Sequence, residues 1–312
     1  MKKILLLALA LVNLIATSCQ DEEETVFADY DKNWFVIEDN ANDPAQHAAF
    51  TFYKDFGIPV FYNDTIGTQE RIDLWGNRYI HYETLTLAYS IGGNLTVGSD
   101  PSISNFTYCN KEVAPAALDW IRKEVMPSVP NKAHIHSILL VENLYSRAYG
   151  SYAFRGVNTI VVGNASRLGS MNDNEAKICK AAILRAALTD MLFNQGLFDS
   201  EIEIFGKVAT DQNENAYNLY TYGKWEQDAN GNWIQVKPDI YALGFIGVNP
   251  ANTYYTPADV QSDFLMYLEK LLITSEEEFD ATMSNDGKPF GSYEAIMRKK
   301  QIVLNILKQL GL

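Results

Sequence analysis

The pattern of apolar residues changes near residue 174, and this change predicts an α+β fold whose C-terminal half is mainly helical. Before it, short apolar runs are separated by Asn, Asp and Gly, which is typical of strands in a mixed or antiparallel sheet region. After it, apolar residues recur at helical spacing over longer segments. The predicted early elements are strands at 34–37, 58–62, 79–82, 84–89, 137–142 and 152–162, with helices at 45–54 and 112–126. The predicted later elements are helices at 174–194, 257–273, 276–283 and 293–310, and a hairpin turn at 228–232.

Start and stop signals support two of the later helices. Polar residues 172–174 are candidate N-caps for the first of them, and Gly196 is a candidate terminator. The second is expected to begin with Thr256 as its cap, Pro257 at the first helical position and Asp259 in the first turn.

The first 19 residues have the pattern of an export signal that ends at a lipid-attachment cysteine. Two lysines form a positive start, residues 4–15 are almost all apolar, and small residues lead to Cys19. This apolar run of 12 residues is too short to span a bilayer comfortably. A small residue before Cys19 resembles the bacterial lipobox, although Ala16 stands where Leu is usual. We expect a signal peptide at 1–18 and a diacylated Cys19; the alternative is a secreted protein with a coincidental cysteine.

The segment after Cys19 is acidic. Residues 21–24 are four consecutive acids, which favours a solvated tether over a packed segment. We assign the tether to 19–26 and a single domain to 27–312. The acidic run resembles the export tag of lipoproteins on the outer face of the Gram-negative outer membrane, so we expect a lipid anchor there, facing the cell exterior.

The overall charge excludes some partners. The chain has 25 Lys and Arg against 39 Asp and Glu, a net charge of -14. Removal of residues 1–18 would take away two lysines and no acid, which leaves 23 − 39 = −16. Such a chain repels polyphosphate and anionic headgroups, so nucleic-acid binding is not expected. Lipid chains, and not protein charge, would hold it at the membrane.

Histidine and cysteine patterns point to little metal or redox chemistry. The sequence has four histidines and none follows residue 136, which excludes histidine-based zinc motifs from the helical half. His134 and His136 would share one face of a strand and could bind a metal if carboxylates joined them. The alternative is that they are ordinary strand residues whose ring nitrogens bond to neighbouring groups. Cys109 and Cys179 could form one disulfide, and Cys179 is otherwise typical of a small core residue.

Four segments resemble a known family of outer-membrane lipoproteins, the zinc-binding metallopeptidases encoded beside TonB-dependent importers. That family carries Leu-His-Glu-x-x-His in a helix, and residues 184–192, LRAALTDML, occupy its place. A Gly-Phe segment and the start of a second motif helix match residues 242–245 and 262–264, and the front end resembles residues 58–62. The likeness covers most of the chain after the leader and implies a zincin-like fold.

The resemblance also implies a site whose working residues are missing. In such enzymes two histidines on one helix face bind Zn²⁺, the Glu between them is the general base, and a distant carboxylate completes the site. Arg185 and Thr189 stand for the histidines, Ala186 for the base and Ser262 for the third ligand. Arg stays protonated, Ala has no functional group, and neutral hydroxyls are poor zinc ligands. We therefore expect no metal, no cofactor and no peptidase activity.

Because the catalytic residues are missing, the resemblance implies a binding role. It implies capture of a glycan or peptide in the old cleft, beside a TonB-dependent importer as partner. Aromatic side chains between the two motif helices would offer flat faces for such a ligand, or would cover the helices as core. These residues are Tyr217, Tyr220, Tyr222, Trp225, Trp233 and Tyr241.

Arg185 carries the most specific expectation. If its helix face lines the old cleft, its guanidinium would replace the charge of the metal and pair with an acid of the second motif helix. Asp263 is the first choice and Asp190 the second. The alternative is a partly exposed helix cation.

Two other functions stay open. One is a glycosidase, which would need two carboxylates facing each other across a cleft, one with a raised pKa. The other is a purely structural partner of an importer that docks through an exposed apolar patch.

Overall fold

The computed structural model describes residues 32–87, 105–145, 149–219, 224–236, 239–248, 256–283 and 286–312. The expected signal peptide, Cys19 and the acidic tether lie outside the described residues, as do Tyr220 and Tyr222. The described part of the chain mixes helices with small sheets, which confirms the α+β class. In this part no helix combines the length and apolar character needed to cross a membrane.

Seven α-helices lie in the described ranges. They are α1 (Pro44–Phe56), α2 (Ala114–Trp120), α3 (Asp173–Phe193), α4 (Asp199–Thr210), α5 (Val260–Ile273), α6 (Glu276–Ala281) and α7 (Glu294–Leu310). Side-chain caps fix several starts: Asp43 accepts from two backbone N–H groups of α1, and Asn172 forms a reciprocal capping box with Glu175 at α3. α2 continues through a π-helical turn, Ile121–Val125.

The strands form one larger sheet and two hairpins. They are β1 (Val60–Phe61), β2 (Thr65–Ile72), β3 (Arg78–Thr84), β4 (Asn105–Tyr108), β5 (Ile138–Tyr145), β6 (Ala153–Arg155), β7 (Ile160–Val162), β8 (Lys224–Gln227) and β9 (Trp233–Val236). In the larger sheet β5 pairs in parallel with β1 and β7, while β4 pairs antiparallel with β5 and β6 with β7. β2 and β3 form one antiparallel hairpin, and β8 and β9 form the other.

Contacts divide the chain into two compact units. The described residues of the smaller unit are 32–36 and 65–84, which hold the β2–β3 hairpin. Here Gly67 lies directly against the ring of Trp34, where a Cβ atom would collide with the indole. The larger unit holds residues 37–64 and the chain from Leu85 onward, with the five-stranded sheet and all seven helices.

Helix α3 belongs to two cores of the larger unit. Its first half, including Cys179 and Ile183, packs into the core with the sheet, α1 and α2. Its second half, including Leu188 and Met191, packs with α4, α5 and α7. Burial on nearly every side explains the run of Ala and Leu through the middle of this helix. Arg185 interrupts that run and is itself buried.

Most predicted helices are confirmed, with small shifts of their ends. The exception in position is α5, which begins at Val260; Asp259 is its N-cap and accepts a hydrogen bond from the backbone N–H of Ser262. The capping role expected of Thr256 was therefore wrong, because an Asp three residues later caps more effectively. The hairpin turn at 228–232 is confirmed between β8 and β9. Helix α4 and strands β2 and β4 were not predicted.

Several other expectations were wrong. Residues 34–37 form a turn followed by irregular chain, and residues 85–87 of the predicted strand 84–89 lie outside any strand. His134 and His136 also lie outside any strand. Cys109 and Cys179 are both free and buried, so the disulfide is not formed. Cys179 is a fully buried core residue, and burial raises the pKa of its thiol to about 12.

Candidate functional site

Helices α3 and α5, which carry the two expected motifs, pack against each other in the larger unit. Two adjoining cavities of about 410 Å³ and 270 Å³ lie beside this contact and share Tyr149, Arg185 and Leu265. We call the two cavities together the Arg185 groove. The larger cavity is also lined by Gly150, Ile246, Gly247, Ser262, Met266, Glu269, Lys270 and Ile273. The smaller is also lined by Leu87, Phe154, Arg155, Gly156, Val157, Ala186, Thr189, Asn194 and Gln261.

The groove gathers all four degenerate motif positions. Arg185, Ala186 and Thr189 line the smaller cavity, and Ser262 lines the larger one. Two segments that are far apart in sequence therefore meet where the resemblance expects one site. These four residues do not fit a zinc ion. The Thr189 hydroxyl already donates to the carbonyl oxygen of Arg185, 2.8 Å away, and Arg185 brings a permanent positive charge.

Arg185 is buried in the wall between the cavities, with 5% of its surface exposed. Its Nη2 donates to the carbonyl oxygens of Ala153 at 2.7 Å and Tyr149 at 3.1 Å. Its Nε lies 2.8 Å from Oε2 of Glu269. The Nε–H is not aligned with an acceptor, so this contact is an ion pair without a well-directed hydrogen bond. The Tyr149 ring centroid lies 5.1 Å from the guanidinium carbon, within cation–π range.

The prediction that Arg185 pairs with an acid of the second motif helix is confirmed, but the predicted residue was wrong. Glu269 belongs to α5, as predicted, but Asp263 and Asp190 do not pair with Arg185. Glu269 lies six positions after Asp263, which places their side chains roughly 120° apart around the helix. The alternative of a partly exposed helix cation was also wrong, because Arg185 is buried.

Glu269 is the groove's carboxylate, with 30% of its side chain exposed. Burial raises its pKa above the ordinary value, and the positive charge of Arg185 opposes that rise. Glu269 lies two helical turns after Ser262, so the two side chains share one face of α5. Met266 and Ile273 extend the same face at helical spacing and also line the larger cavity. This stripe was a signal in the sequence that could have identified Glu269.

Asp263 lies instead in a fully buried charge cluster that joins α5 to α7. Its Oδ2 is 2.6 Å from Nζ of Lys299, and both side chains have no exposed surface. The Tyr217 hydroxyl donates to the same oxygen at 2.9 Å. Lys299 Nζ also lies 4.4 Å from the centroid of the Phe245 ring. Burial raises the pKa of Asp263 to about 6, against the opposing effect of Lys299, and lowers the pKa of Lys299.

Asp190 has partners of its own. Its Oδ1 lies 3.3 Å from Nη2 of Arg155 and accepts a hydrogen bond from the side-chain amide of Asn194 at 2.9 Å. The hydrogen bond from Asn194 is the main reason why the pKa of Asp190 is lowered. Asp190 therefore stabilises the rim residues Arg155 and Asn194, both of which line the smaller cavity.

The candidate aromatic residues do not form one binding surface. Tyr217 is partly buried in the Asp263 cluster, and Tyr241 packs against Phe290 and Tyr293. Trp225 and Trp233 lie on the β8–β9 hairpin with 62% and 64% of their surfaces exposed. Among the described residues, two aromatic side chains line the groove, Tyr149 and Phe154, and Tyr149 lies against the guanidinium of Arg185. No sequence motif had marked either residue.

The histidine pair does not form a metal site with its surroundings. His134 and His136 are exposed, and their rings meet edge to face with centroids 4.3 Å apart. Within the described ranges, no group of three or more His, Cys, Asp or Glu side chains is arranged to hold a metal ion.

Comparison with family models, with curated proteins and with solved structures finds no match for this chain. Function must therefore be inferred from the groove itself. Its distinguishing features are a buried cation, a partly exposed carboxylate and an apolar helix face.

Proposed function

We propose that the protein is a binding protein related to zincin-like metallopeptidases, and that the Arg185 groove captures a peptide. One observation carries this proposal. The four positions that would do chemistry in a zincin line a groove in which Arg185 and Glu269 now form an ion pair. The groove combines a charged pair with the aliphatic side chains of Met266 and Ile273. Such a lining suits a chain with both polar backbone groups and apolar side chains.

The proposal includes a location and a partner. Cys19 would carry lipid chains in the outer membrane, with the body facing the cell exterior, and a TonB-dependent importer would receive the captured ligand. The family resemblance supports the partner, and the lipobox pattern supports the anchor. The protein would then act as an accessory component of nutrient uptake and not as a peptidase.

A glycan is the second candidate ligand, and a specific observation favours it. In the β8–β9 register Trp225 pairs with Gln235 and Trp233 with Gln227, which puts both indoles on the same face of the hairpin. Two exposed aromatic rings on one face can stack on successive sugar rings.

The other two alternatives gain less support. A carboxylate-based glycosidase needs a pair of acids facing the cleft, and Glu269 is the one Asp or Glu among the described residues that line the groove. A purely structural importer partner would need no groove at all.

Peptide capture can be tested with a cavity-filling variant. Purified protein is incubated with a mixture of short peptides, and bound peptides are identified by mass spectrometry after gel filtration. Met266→Trp should fill the larger cavity and abolish retention. Gln301→Trp is the control, because Gln301 is exposed and lines a separate cavity near the C-terminus. Equal retention by wild type and Met266→Trp would contradict the proposal, and retention of glycans that is lost in Trp225→Ala would favour the second candidate.

The same preparation tests the loss of the metal site. We expect elemental analysis to find no stoichiometric zinc, and peptide substrates to remain uncut, because Arg185 and Thr189, which stand at the histidine positions, are poor zinc ligands. Zinc retained through purification, together with cleavage that a chelator stops, would show an active metallopeptidase.

A further inference from the structure

Two hairpin turns in this chain share one sequence pattern and one hydrogen-bond arrangement. Residues 73–77 and 228–232 both read Asp-x-x-Gly-Asn. In each turn the Asp carboxylate accepts from the backbone N–H of the third and fifth residues and from the side-chain amide of the Asn. The glycine has φ of 85° in the first turn and 81° in the second, a conformation that glycine tolerates. The two turns are therefore matched in geometry.

The turns differ at the two positions that the geometry leaves free. The second turn has Ala229 and Asn230 there, which are unremarkable on a protein surface. The first turn, between β2 and β3, has Leu74 and Trp75 with 98% and 84% of their surfaces exposed. The second turn shows that this conformation needs no apolar residues, so Leu74 and Trp75 do not serve the turn itself. Two large apolar side chains at a hairpin tip indicate an apolar partner.

Charge indicates what that partner is. The described residues of the smaller unit carry three cations and three acids, 3 − 3 = 0, although the whole chain carries -14. Arg78 and Glu70, near the tip, are themselves paired at 3.0 Å. The hairpin itself, residues 65–84, carries two cations and three acids, 2 − 3 = −1, so it adds little to the negative charge that opposes contact with an anionic lipid surface.

The length of chain before the hairpin unit points to the same partner. Lys32, where the described chain begins, lies 13 residues after Cys19 (32 − 19 = 13). Even fully extended, such a segment spans about 45 Å. If Cys19 carries lipid, the smaller unit cannot move farther than this from the bilayer.

We propose that Leu74 and Trp75 insert into the interface of the bilayer that holds the lipid anchor. Trp is well suited to this boundary because its ring is apolar and its N–H can bond to water or headgroups. Tyr79, which is 45% exposed on β3, lies close behind the tip and is suited to the same region. Two side chains are too few to hold a protein at a membrane alone. The tip thus adds a second membrane contact to a chain that the lipid chains already retain, and the inference depends on that part of the proposed function.

The insertion is tested by fluorescence quenching in vesicles. The full chain is reconstituted into phosphatidylcholine vesicles whose acyl chains carry bromine, which quenches nearby indoles. The tip variant is Leu74→Ala with Trp75→Asn, which copies the second turn. A swap variant adds Ala229→Leu and Asn230→Trp, so that it keeps all five tryptophans of the wild-type composition. Circular dichroism confirms that each variant is folded.

We expect wild-type fluorescence to be quenched and both variants to lose most of that quenching. Equal quenching in wild type and the tip variant would overturn the insertion and leave a protein as the partner of the tip. Undiminished quenching in the swap variant would also overturn it, because position near the anchor would then be irrelevant. Vesicle flotation distinguishes the lipid anchor at Cys19 from the insertion of Leu74 and Trp75. If the wild-type protein floats with the vesicles but shows no quenching that depends on the tip, the anchor is supported and the insertion is refuted. If the wild-type protein does not float, both the lipid anchor and the insertion are refuted.

Discussion

Two buried basic side chains approach helix α5 from different sides. Arg185 of α3 pairs with Glu269, and Lys299 of α7 pairs with Asp263. Buried ion pairs add little net stability compared with apolar residues of the same size, but removal of one partner leaves an uncompensated charge. The Arg185 pair borders the groove, where Glu269 is partly exposed, whereas the Lys299 pair has no exposed surface. A ligand can therefore reach the first pair and not the second.

Replacement of Arg185 by Ala should be strongly destabilising. It removes the charge beside Glu269 and the hydrogen bonds from Nη2 to the carbonyl oxygens of Ala153 and Tyr149. We expect a loss of roughly 3 kcal/mol in the free energy of unfolding. Arg122→Ala is the control, because its pair with Asp55 is partly exposed on both sides and should cost about 1 kcal/mol or less. Urea unfolding measures both. A loss for Arg185→Ala no greater than that of the control would contradict the structural role assigned to the buried pair.

For individual residues, the sequence predicted that Arg185 would form an ion pair with an acid, but it did not predict which acid. An arginine in an otherwise apolar helix face had to find an acid, and α5 was the expected source. Which acid it finds depends on the rotation of α5 about its axis, and that rotation is fixed by the packing of Phe264, Leu268 and their neighbours. Nothing in the local sequence around Asp263 distinguishes a residue that faces α3 from one that faces α7.

Elements with strong periodicity and good caps were predictable, whereas elements stabilised by tertiary contact were not. α3 and α7 have long helical patterns, and both were found within a few residues. α4 escaped prediction because Gly206 interrupts its interior. In the structure this glycine allows close approach of Val260, whose methyl carbon would lie 2.9 Å from an added Cβ. β2 was missed because neither face of its hairpin is buried, so its apolar residues do not alternate clearly.

The Asp263–Lys299 contact between α5 and α7 should make stability depend on pH. The pKa of Asp263 is raised from 3.8 to about 6. The folded state therefore binds a proton more tightly than the unfolded state, so this contribution is present in full below about pH 3.8 and is lost as the pH rises through about 6. Lys299→Met would remove the cation and raise the pKa of Asp263 further. We expect the destabilisation to grow above pH 6 by up to about 1.4 kcal/mol per pH unit.

The control for this prediction is the double variant Lys299→Met with Asp263→Asn, which has no charge to strand. Its difference from wild type should change much less between pH 6 and pH 8. Guanidinium unfolding at pH 5, 6, 7 and 8 gives the comparison. A Lys299→Met penalty that stays constant across this range would show that Asp263 does not titrate in the folded protein.

At the scale of the whole molecule, the net negative charge opposes the membrane attachment that we propose. The chain carries -14, and the expected mature form carries −16 by the count given above, so protein charge opposes approach to anionic lipid. The proposed contact of Leu74 and Trp75 is apolar and small. Stable attachment would therefore have to come from covalent lipid, which is insensitive to salt because it does not depend on Coulomb attraction.

Cys19→Ala should consequently release a folded protein from the membrane. We expect the wild-type chain to stay in the membrane fraction after washing with concentrated salt and to leave it only with detergent. The Cys19→Ala chain should instead appear in the soluble fraction, since the hairpin tip alone gives only marginal, reversible binding. Cys109→Ala is the matched control, because Cys109 is a buried core thiol and its loss should leave attachment unchanged. Fractionation followed by immunoblotting measures all three, and retention of Cys19→Ala after the salt wash would show that protein surface and not lipid holds the chain.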